Sequence, residues 1–377
     1  GAPSPLVDAT DRAKWRVLLY QNGLRMVVQP IVDLRSGQVV KVEALARLQT
    51  PDGTLVSPGQ FLPVLAEADL QILFRQALAQ SLAALHDWRH SGLDITLSLN
   101  LDPVTLISPD CPLWVESALR EADLPPAALT LELLETTEID AQLVAEAIVR
   151  LRDLGVHLAM DDLGSGYSSM KRFASLPFHM VKIDQDVVQD VIRHPLQGIA
   201  IMRTVLQLGR DMDCAVVAEG LENAALIEVA QLLGCPFGQG YGLARPMPMA
   251  EFPDWLRTQT PLALPNAQEL HSWLGALAYV WIWEHAHSAE QHHRCGLAAC
   301  PLTRFLQRQG VEDADALRWH ALWHESADET ERRQASQALL HWMQQQVVER
   351  SEAAVKRDKA DENEAARRST AQHLERA

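Results

Sequence analysis

Residues 128–161 read ALTLELLETTEIDAQLVAEAIVRLRDLGVHLAMD, and how this stretch folds decides the architecture. A short apolar run at 128–134 precedes a helical pattern at 140–154, where Leu143, Val144, Ala147, Ile148 and Leu151 recur at three- and four-residue spacing. A second apolar run follows at 156–161. That is a strand, a helix and a strand, the signature of a parallel crossover rather than a hairpin. The alternation extends in both directions. Strands are expected at 24–33, 38–47, 94–101, 179–184, 214–219 and 235–241, and helices at 58–90, 112–123, 195–211, 223–234 and, shorter, 248–258. Eight strands alternating with helices over about 250 residues predict a modified (β/α)8, TIM-like barrel, with a doubly wound open sheet as the alternative. Arg35-Ser36-Gly37-Gln38 joins the first two strands as a hairpin-like turn, so one strand is expected to run antiparallel.

The pattern changes near residue 260. Nine of the fourteen histidines lie after residue 270 and seven of the ten tryptophans after residue 254, while strand-like runs vanish. Pro261-Leu-Ala-Leu-Pro265 breaks helical continuity and reads as a linker. Three regions are expected: a barrel over 1–260, a small all-α helical-bundle domain over 261–350, and a charged, Ala-rich tail over 351–377. A chain of 377 residues with 47% hydrophobic and 22% charged residues is neither disordered nor fibrous. Forty-nine acidic against thirty-three basic residues leave a net charge of −16, which argues against nucleic-acid polymers and acidic membranes. Five cysteines, an odd number in no secreted framework, point to a reducing compartment. No apolar run reaches the roughly 18 residues of a bilayer span. Gly1-Ala2-Pro3-Ser4-Pro5 lacks both a basic and an apolar region, so no signal peptide is expected there and it reads as the cut edge of a longer chain. Together these predict a cytoplasmic protein.

The chemistry lies at the strand ends. Glu43, Asn100, Glu132 with Glu135, Asp161-Asp162, Lys182 with Asp184, Glu219 with Glu222, and Gln239 each fall on or just after a different expected strand. In a barrel these ends converge on one face. Taken singly, each is read more readily as a helix cap or a surface charge, and Asp161-Asp162-Leu163-Gly164-Ser165-Gly166 as a glycine-rich turn. The joint pattern reverses that. So many carboxylates cannot stay ionised together without cations. Oxygen donors with one amide select Mg²⁺, Mn²⁺ or Ca²⁺, and the surplus of carboxylates suggests a two-metal site of the kind that activates water against phosphorus.

The ordered set resembles the EAL-domain cyclic di-GMP phosphodiesterases. Glu43-Ala44-Leu45 with Arg47, Leu97-Ser98-Leu99-Asn100, Glu132-Leu133-Leu134-Glu135 and Asp161 through Ser169 carry the resemblance. Val181-Lys182-Ile183-Asp184, Ala218-Glu219-Gly220-Leu221-Glu222, Gly238-Gln239-Gly240-Tyr241 and Pro246 complete it, over about residues 15–258. It implies hydrolysis of cyclic di-GMP to linear 5′-pGpG with two Mg²⁺ or Mn²⁺ ions held by Glu43, Asn100, Glu132, Asp161, Asp162 and Glu219. Lys182 would hold or deprotonate the attacking water and Gln239 would position it. A lysine among so many carboxylates keeps its charge, which favours holding over deprotonation. Arg47 would grip a phosphate, Gln29 and Asp184 would contact substrate, and Glu222 would support the cluster. Glu135 would brace the loop after Asp162, which the family uses to couple a homodimer. Leu163 stands where the family usually has Phe, a departure that bears on loop packing. Degenerate members bind the dinucleotide without cutting it; here the motif set is whole, and a receptor or an inert scaffold is the alternative.

His320-Ala321-Leu322-Trp323-His324 places two imidazoles on one helical face. His271-Ser272-Trp273 is read on one helix, and Cys295 and Cys300 offer thiolates; aromatic and His stripes that merely pack a bundle are the alternative. The segment resembles the chemoreceptor zinc-binding (CZB) domain through His271-Ser272-Trp273-Leu274, Cys300-Pro301-Leu302-Thr303-Arg304-Phe305-Leu306 and His320 through His324. That implies a four-helix bundle holding Zn²⁺ on His271, Cys300, His320 and His324 and regulating the phosphodiesterase.

Overall fold

In a computed structural model, which describes residues 9–133, 140–163, 176–266, 268–285 and 296–350 (the side chains of 9–12 and of Asp162 excepted), the eight expected strands close into a barrel. Around it run β1 (Leu24–Asp33), β2 (Val39–Gln49), β4 (Thr96–Leu101), β5 (Leu129–Leu133), β6 (His157–Leu163), β7 (Met180–Ile183), β8 (Ala215–Ala218) and β9 (Phe237–Gly238), which pairs back to β1. Only β1 is antiparallel, to β2 on one side and β9 on the other; the other pairs in the ring are parallel. The β1–β2 and β1–β9 ladders remove the open-sheet alternative. Two short strands outside the ring, β3 (Leu55–Val56) and β10 (Met247–Pro248), extend β2 and β1.

The sequence pattern predicts one helix over 58–90, but the structure breaks it into Pro58–Phe61, a 3-10 turn at Leu62–Val64, and Glu67–His90. Pro63 has no amide hydrogen to donate, and the Ala66 amide is taken by Asp69 Oδ2 at 3.0 Å, which starts a new helix. Asp69, wholly buried, also accepts from Tyr20 Oη at 3.0 Å and pairs with Arg16 Nε at 2.9 Å. These bonds pin the helix Ala9–Tyr20, which, like Gln185–Arg193, is not among the helices expected from the sequence. Strand nine, expected over seven residues, pairs over only two.

Between the strands and the surrounding helices lies a continuous apolar shell that includes Leu97, Leu99, Leu129, Leu131, Ile148 and Phe252. Inside the ring a separate small cluster, Ile31, Ala159, Met180 and Val217, fills the lower storey. All five residues of β5 are buried, as a parallel strand covered on both faces requires. Among the described residues no helix is long and apolar enough to cross a membrane.

The chain divides into two compact units, residues 1–188 with 201–264 and residues 189–200 with 265–377. The second is helical: Trp273–Glu284, Pro301–Arg308, Ala314–Glu325 and 329–350. Its core carries Leu277, Leu302, Leu306, Leu339 and Met343, with Trp273 meeting the rings of Phe305 at 5.2 Å and Trp342 at 5.7 Å edge to face.

Candidate active site

Side chains two apart on a strand share a face, so each residue of the lower storey fixes what stands above it. Above Ala159 is Asp161, above Met180 is Lys182, above Val217 is Glu219 and above Phe237 is Gln239. Thr130, Ser98 and Lys41 likewise set Glu132, Asn100 and Glu43, and Ile31 on the reversed strand sets Gln29. The ladders place Gln29 opposite Glu43 and Asn100 opposite Glu132. The upper storey is therefore almost entirely polar.

Lys182 stands at its centre, 1% exposed. Its Nζ lies 2.5 Å from Glu219 Oε1, 2.8 Å from Glu132 Oε2, 3.2 Å from Glu43 Oε2 and 3.3 Å from Asp161 Oδ1. Asn100 Nδ2 donates to Glu43 Oε1 and Gln239 Nε2 to Glu43 Oε2, both at 2.8 Å. Gln239 Nε2 also reaches Gln29 Oε1 at 3.2 Å, and Gln29 donates to the Ala244 carbonyl at 3.1 Å.

One ammonium cannot neutralise four buried carboxylates. Burial, then the charge of Glu43, pushes Glu132 up to about 8. Burial also pushes Glu219 up to about 7 against the pull of Lys182. Glu43 is equally buried, yet Lys182 and the Gln239 and Asn100 hydrogen bonds outweigh burial and hold it below the ordinary range. The four carboxylates likewise overcome burial of Lys182 and raise it well above an ordinary lysine. Glu132 Oε1 and Gln239 Oε1 are buried without a hydrogen-bond partner. Surplus negative charge, hard oxygen donors and an unpartnered carboxylate oxygen fit divalent cations such as Mg²⁺ or Mn²⁺.

A cavity of about 290 Å³ opens beside the cluster, lined among others by Gln29, Glu43, Arg47, Glu219, Glu222 and Tyr241. Arg47 is half-buried, with Nη1 bonded to the Ala46 carbonyl at 2.8 Å, and burial lowers its pKa. Gly220 takes a φ of +64°, and a Cβ there would strike the Gln185 side chain. A Cβ on Gly240 would enter the Leu221 backbone. These two glycines let the ends of β8 and β9 close on each other, with the Leu221 amide bonded to the Gln239 carbonyl at 3.0 Å.

Of the residues expected here, Glu43, Asn100, Glu132, Asp161, Lys182, Glu219, Gln239 and Gln29 come together, with Arg47 and Glu222 on the adjoining cavity. The Asp184 carboxylate accepts the Asp186 amide at 2.5 Å and so caps the start of the helix Gln185–Arg193. Asp162 lies on β6, its side chain outside the described residues, as are Glu135 and the loop after Leu163. Leu163 itself is fully buried on β6 beside Ile183. Lys41, beneath the cluster, was missed; its position two residues before Glu43 was the available signal.

The second unit holds a smaller group. Cys300, His320 and His324 offer ligand atoms within 4.8 Å of one another. The two imidazoles project from one face of the helix Ala314–Glu325, and Cys300 precedes the helix Pro301–Arg308. Burial, then the nearby His324, lowers His320 to about 4, and its Nε2 is buried without a hydrogen-bond partner. A thiolate and neutral imidazoles suit zinc rather than magnesium. His271 is not in the group. Ser272 caps the helix by accepting the Gly275 amide at 2.8 Å, so His271 lies before it, exposed, near the Asn266 carbonyl at 3.3 Å. Cys295 lies outside the described residues.

Known proteins are similar to this chain over the barrel. Oxygen sensor protein DosP of Escherichia coli (strain K12) is 31% identical over 250 residues, 65% of this chain but only 31% of DosP. Cyclic di-GMP phosphodiesterase RocR of Pseudomonas aeruginosa is 36% identical over 233 residues, 60% of this chain and 58% of RocR. Among solved structures, the PaMucR phosphodiesterase in complex with c-di-GMP aligns with a TM-score of 0.61 at 31% identity, over 64% of this chain and 99% of that one. The chain thus spans about a third of DosP and a little over half of RocR. The EAL domain model matches residues 12–246, more than half of the chain, which therefore belongs to the EAL domain family.

Proposed function

We propose that the barrel hydrolyses cyclic di-GMP to linear 5′-pGpG with two divalent cations. The observation that carries this is the convergence of Glu43, Glu132, Asp161 and Glu219 on Lys182 beside a cavity that also presents Arg47. The names of relatives such as RocR point the same way. Mg²⁺ or Mn²⁺ would be held by Glu43, Asn100, Glu132, Asp161 and Glu219, with Asp162 by resemblance, and would supply charge neutralisation and water activation.

The chain's own residues do the rest. Arg47 offers planar donors to a substrate phosphate at the cavity wall. Gln239, tethered to Glu43 and Gln29, fixes the Glu43 carboxylate and keeps its own Oε1 available to a donor. Lys182, charged and held by four carboxylates, orients them and stabilises negative charge rather than accepting a proton. Glu222 lines the cavity within reach of substrate. Incubation with cyclic di-GMP and Mg²⁺ or Mn²⁺, followed by chromatography of the nucleotides, tests the reading. Linear product from the native protein and none from Glu43→Ala is expected; intact ligand eluting with the protein would make it a receptor instead.

For the second unit the reading is a zinc site on Cys300, His320 and His324 that regulates the barrel, supported by their convergence and by the unpartnered His320 Nε2. Comparing turnover of zinc-replete and zinc-stripped protein tests the regulation; equal rates would reject it. A homodimer coupled through Glu135 and the loop after Asp162 completes the proposal, and light scattering during gel filtration reads its mass.

A further inference from the structure

Beneath the carboxylates the barrel holds a second ammonium that none of these roles uses. Lys41 stands two residues before Glu43 on β2, so it shares the inward face, and it is 6% exposed. Its Nζ donates to Thr130 Oγ1, and Thr130 stands two residues before Glu132 on β5. Among the described residues no carboxylate lies within ion-pair distance of it, and the rest of that storey includes the apolar Ile31, Ala159, Met180 and Val217. A buried charge with one hydroxyl partner is costly unless something at longer range compensates it. Compensation from above is partial: burial lowers Lys41 to about 8, Glu132 attracts the ammonium and Lys182 repels it, so the charge is kept at neutral pH. Below, His157 and His179 stack at 4.6 Å; burial lowers the pKa of both, and the charge of Lys41 adds to this, after that of His179 in the case of His157.

We propose that Lys41 is a positioning charge that sets how tightly the carboxylate cluster binds divalent cations. In the metal-free barrel, Lys182 within the cluster and Lys41 one storey below share the excess negative charge. A dication arriving between the carboxylates meets an ammonium already fixed beneath them and is bound less tightly. Such a charge limits affinity while helping the empty cluster persist. The inference rests on the divalent-cation reading of the cluster.

Calorimetric titration with Mg²⁺ alone, without nucleotide, tests it. Mg²⁺ suits the oxygen cluster and not the Cys300–His320–His324 group. Lys41→Met is expected to bind Mg²⁺ about tenfold or more tightly than native protein, since removing a fixed charge at barrel-interior distance from a dication is worth at least that much. Lys41→Gln keeps a polar head opposite Thr130, should gain affinity in the same direction, and decides the matter if Lys41→Met does not fold. Lys41→Arg, which retains the charge, should stay within about twofold of native, a rescue that a purely packing role would not give. Native protein that binds Mg²⁺, with both neutral variants matching it or binding more weakly, overturns the role of Lys41 and leaves the metal reading standing. Native protein that binds no Mg²⁺ overturns both.

Discussion

The barrel cluster and the Cys300 group are both largely buried and both rich in ligand atoms, and burial shifts their pKa values in opposite directions. Burial disfavours the charged form of any group, so it raises Glu132 to about 8 and lowers His320 to about 4. For a metal ligand these shifts have opposite meanings. The neutral imidazole is already the ligating form, so the second unit pays little to keep His320 ready. The ligating form of a carboxylate is the charged one, and the barrel keeps it only by building in Lys182. An oxygen site therefore needs an internal cation to survive without metal; a thiolate–imidazole site does not. The two clusters teach that a lysine at the centre of a carboxylate ring is as much a structural requirement of the empty site as a participant in chemistry.

Lys182→Met breaks that arrangement directly and carries the largest effect expected of a substitution. It leaves four carboxylates facing one another in the barrel, and removing one partner from a buried ion cluster costs about 3–5 kcal/mol. In chelator-treated protein the barrel's melting transition should fall by about 10 °C, at roughly 2–4 °C per kcal/mol for a unit of this size. Millimolar Mg²⁺ should restore most of the loss; a variant melting within a degree of native without metal would refute the requirement. Cys300→Ala has no such consequence for the barrel. Zinc content in protein purified without added metal should drop from about one equivalent to less than about a tenth, with the barrel transition unmoved. Native protein that itself holds less than about a tenth of an equivalent would remove zinc from the comparison.

How far the sequence exposes each cluster follows from the same contrast. The barrel's ligands are spaced by the fold, one per strand, so reading the strands already brings them to one face. What the strand ends do not reveal is which polar residues point inward. Asp102, Asp140, Asp184 and Asn223 also follow strands or open the next helix, and each accepts backbone amides as a cap. Asp184 was grouped with the site for that reason. Counting in twos from the apolar storey would have marked Lys41, but it does not set the caps apart, because Asp184 stands two residues after Lys182 and Asp102 two after Asn100; only the amides they accept do that. Strand nine misled because Gly238 and Gly240 allow the chain to turn against Leu221 after two paired residues. In the second unit the His320–His324 spacing is local and legible. The place of His271 depends on Ser272 starting the helix, a capping choice that the motif alone does not state.

The smallest expected effect, that of His320, belongs to the test that separates the two clusters most cleanly, because acid should move them in opposite directions. Consider metal-stripped protein between pH 8 and pH 5. Glu132 and Glu219 have folded pKa values above the ordinary carboxylate value, so the folded barrel binds more protons than the unfolded chain in this window. Their contribution is complete below the unfolded value and is lost as pH rises through about 7 and 8, so the barrel gains stability on acidification. Glu43, held low, and Lys182, held high, do not change charge in this window, while His157 and His179, held below 6.5 first by burial, offset part of the barrel's gain. His320 has a folded pKa below its unfolded value, so its contribution is complete above about 6.5 and is lost as pH falls toward 4. The helical unit therefore weakens on acidification. The His320 change amounts to about 2 kcal/mol, or a few degrees in melting temperature; the carboxylate gain is larger, at about 1.4 kcal/mol per pH unit for each group over the span it titrates, less what His157 and His179 offset. Scanning calorimetry of chelator-treated protein at pH 8, 6.5 and 5 should show the barrel transition rising while the helical transition falls. His320→Leu should abolish the fall and leave the rise in place. Two transitions that move together, in either direction, would mean that burial is not what sets the charge of these groups. Saturating Mg²⁺ should reverse the barrel's trend, because cations bind the ionised carboxylates that protons would otherwise occupy.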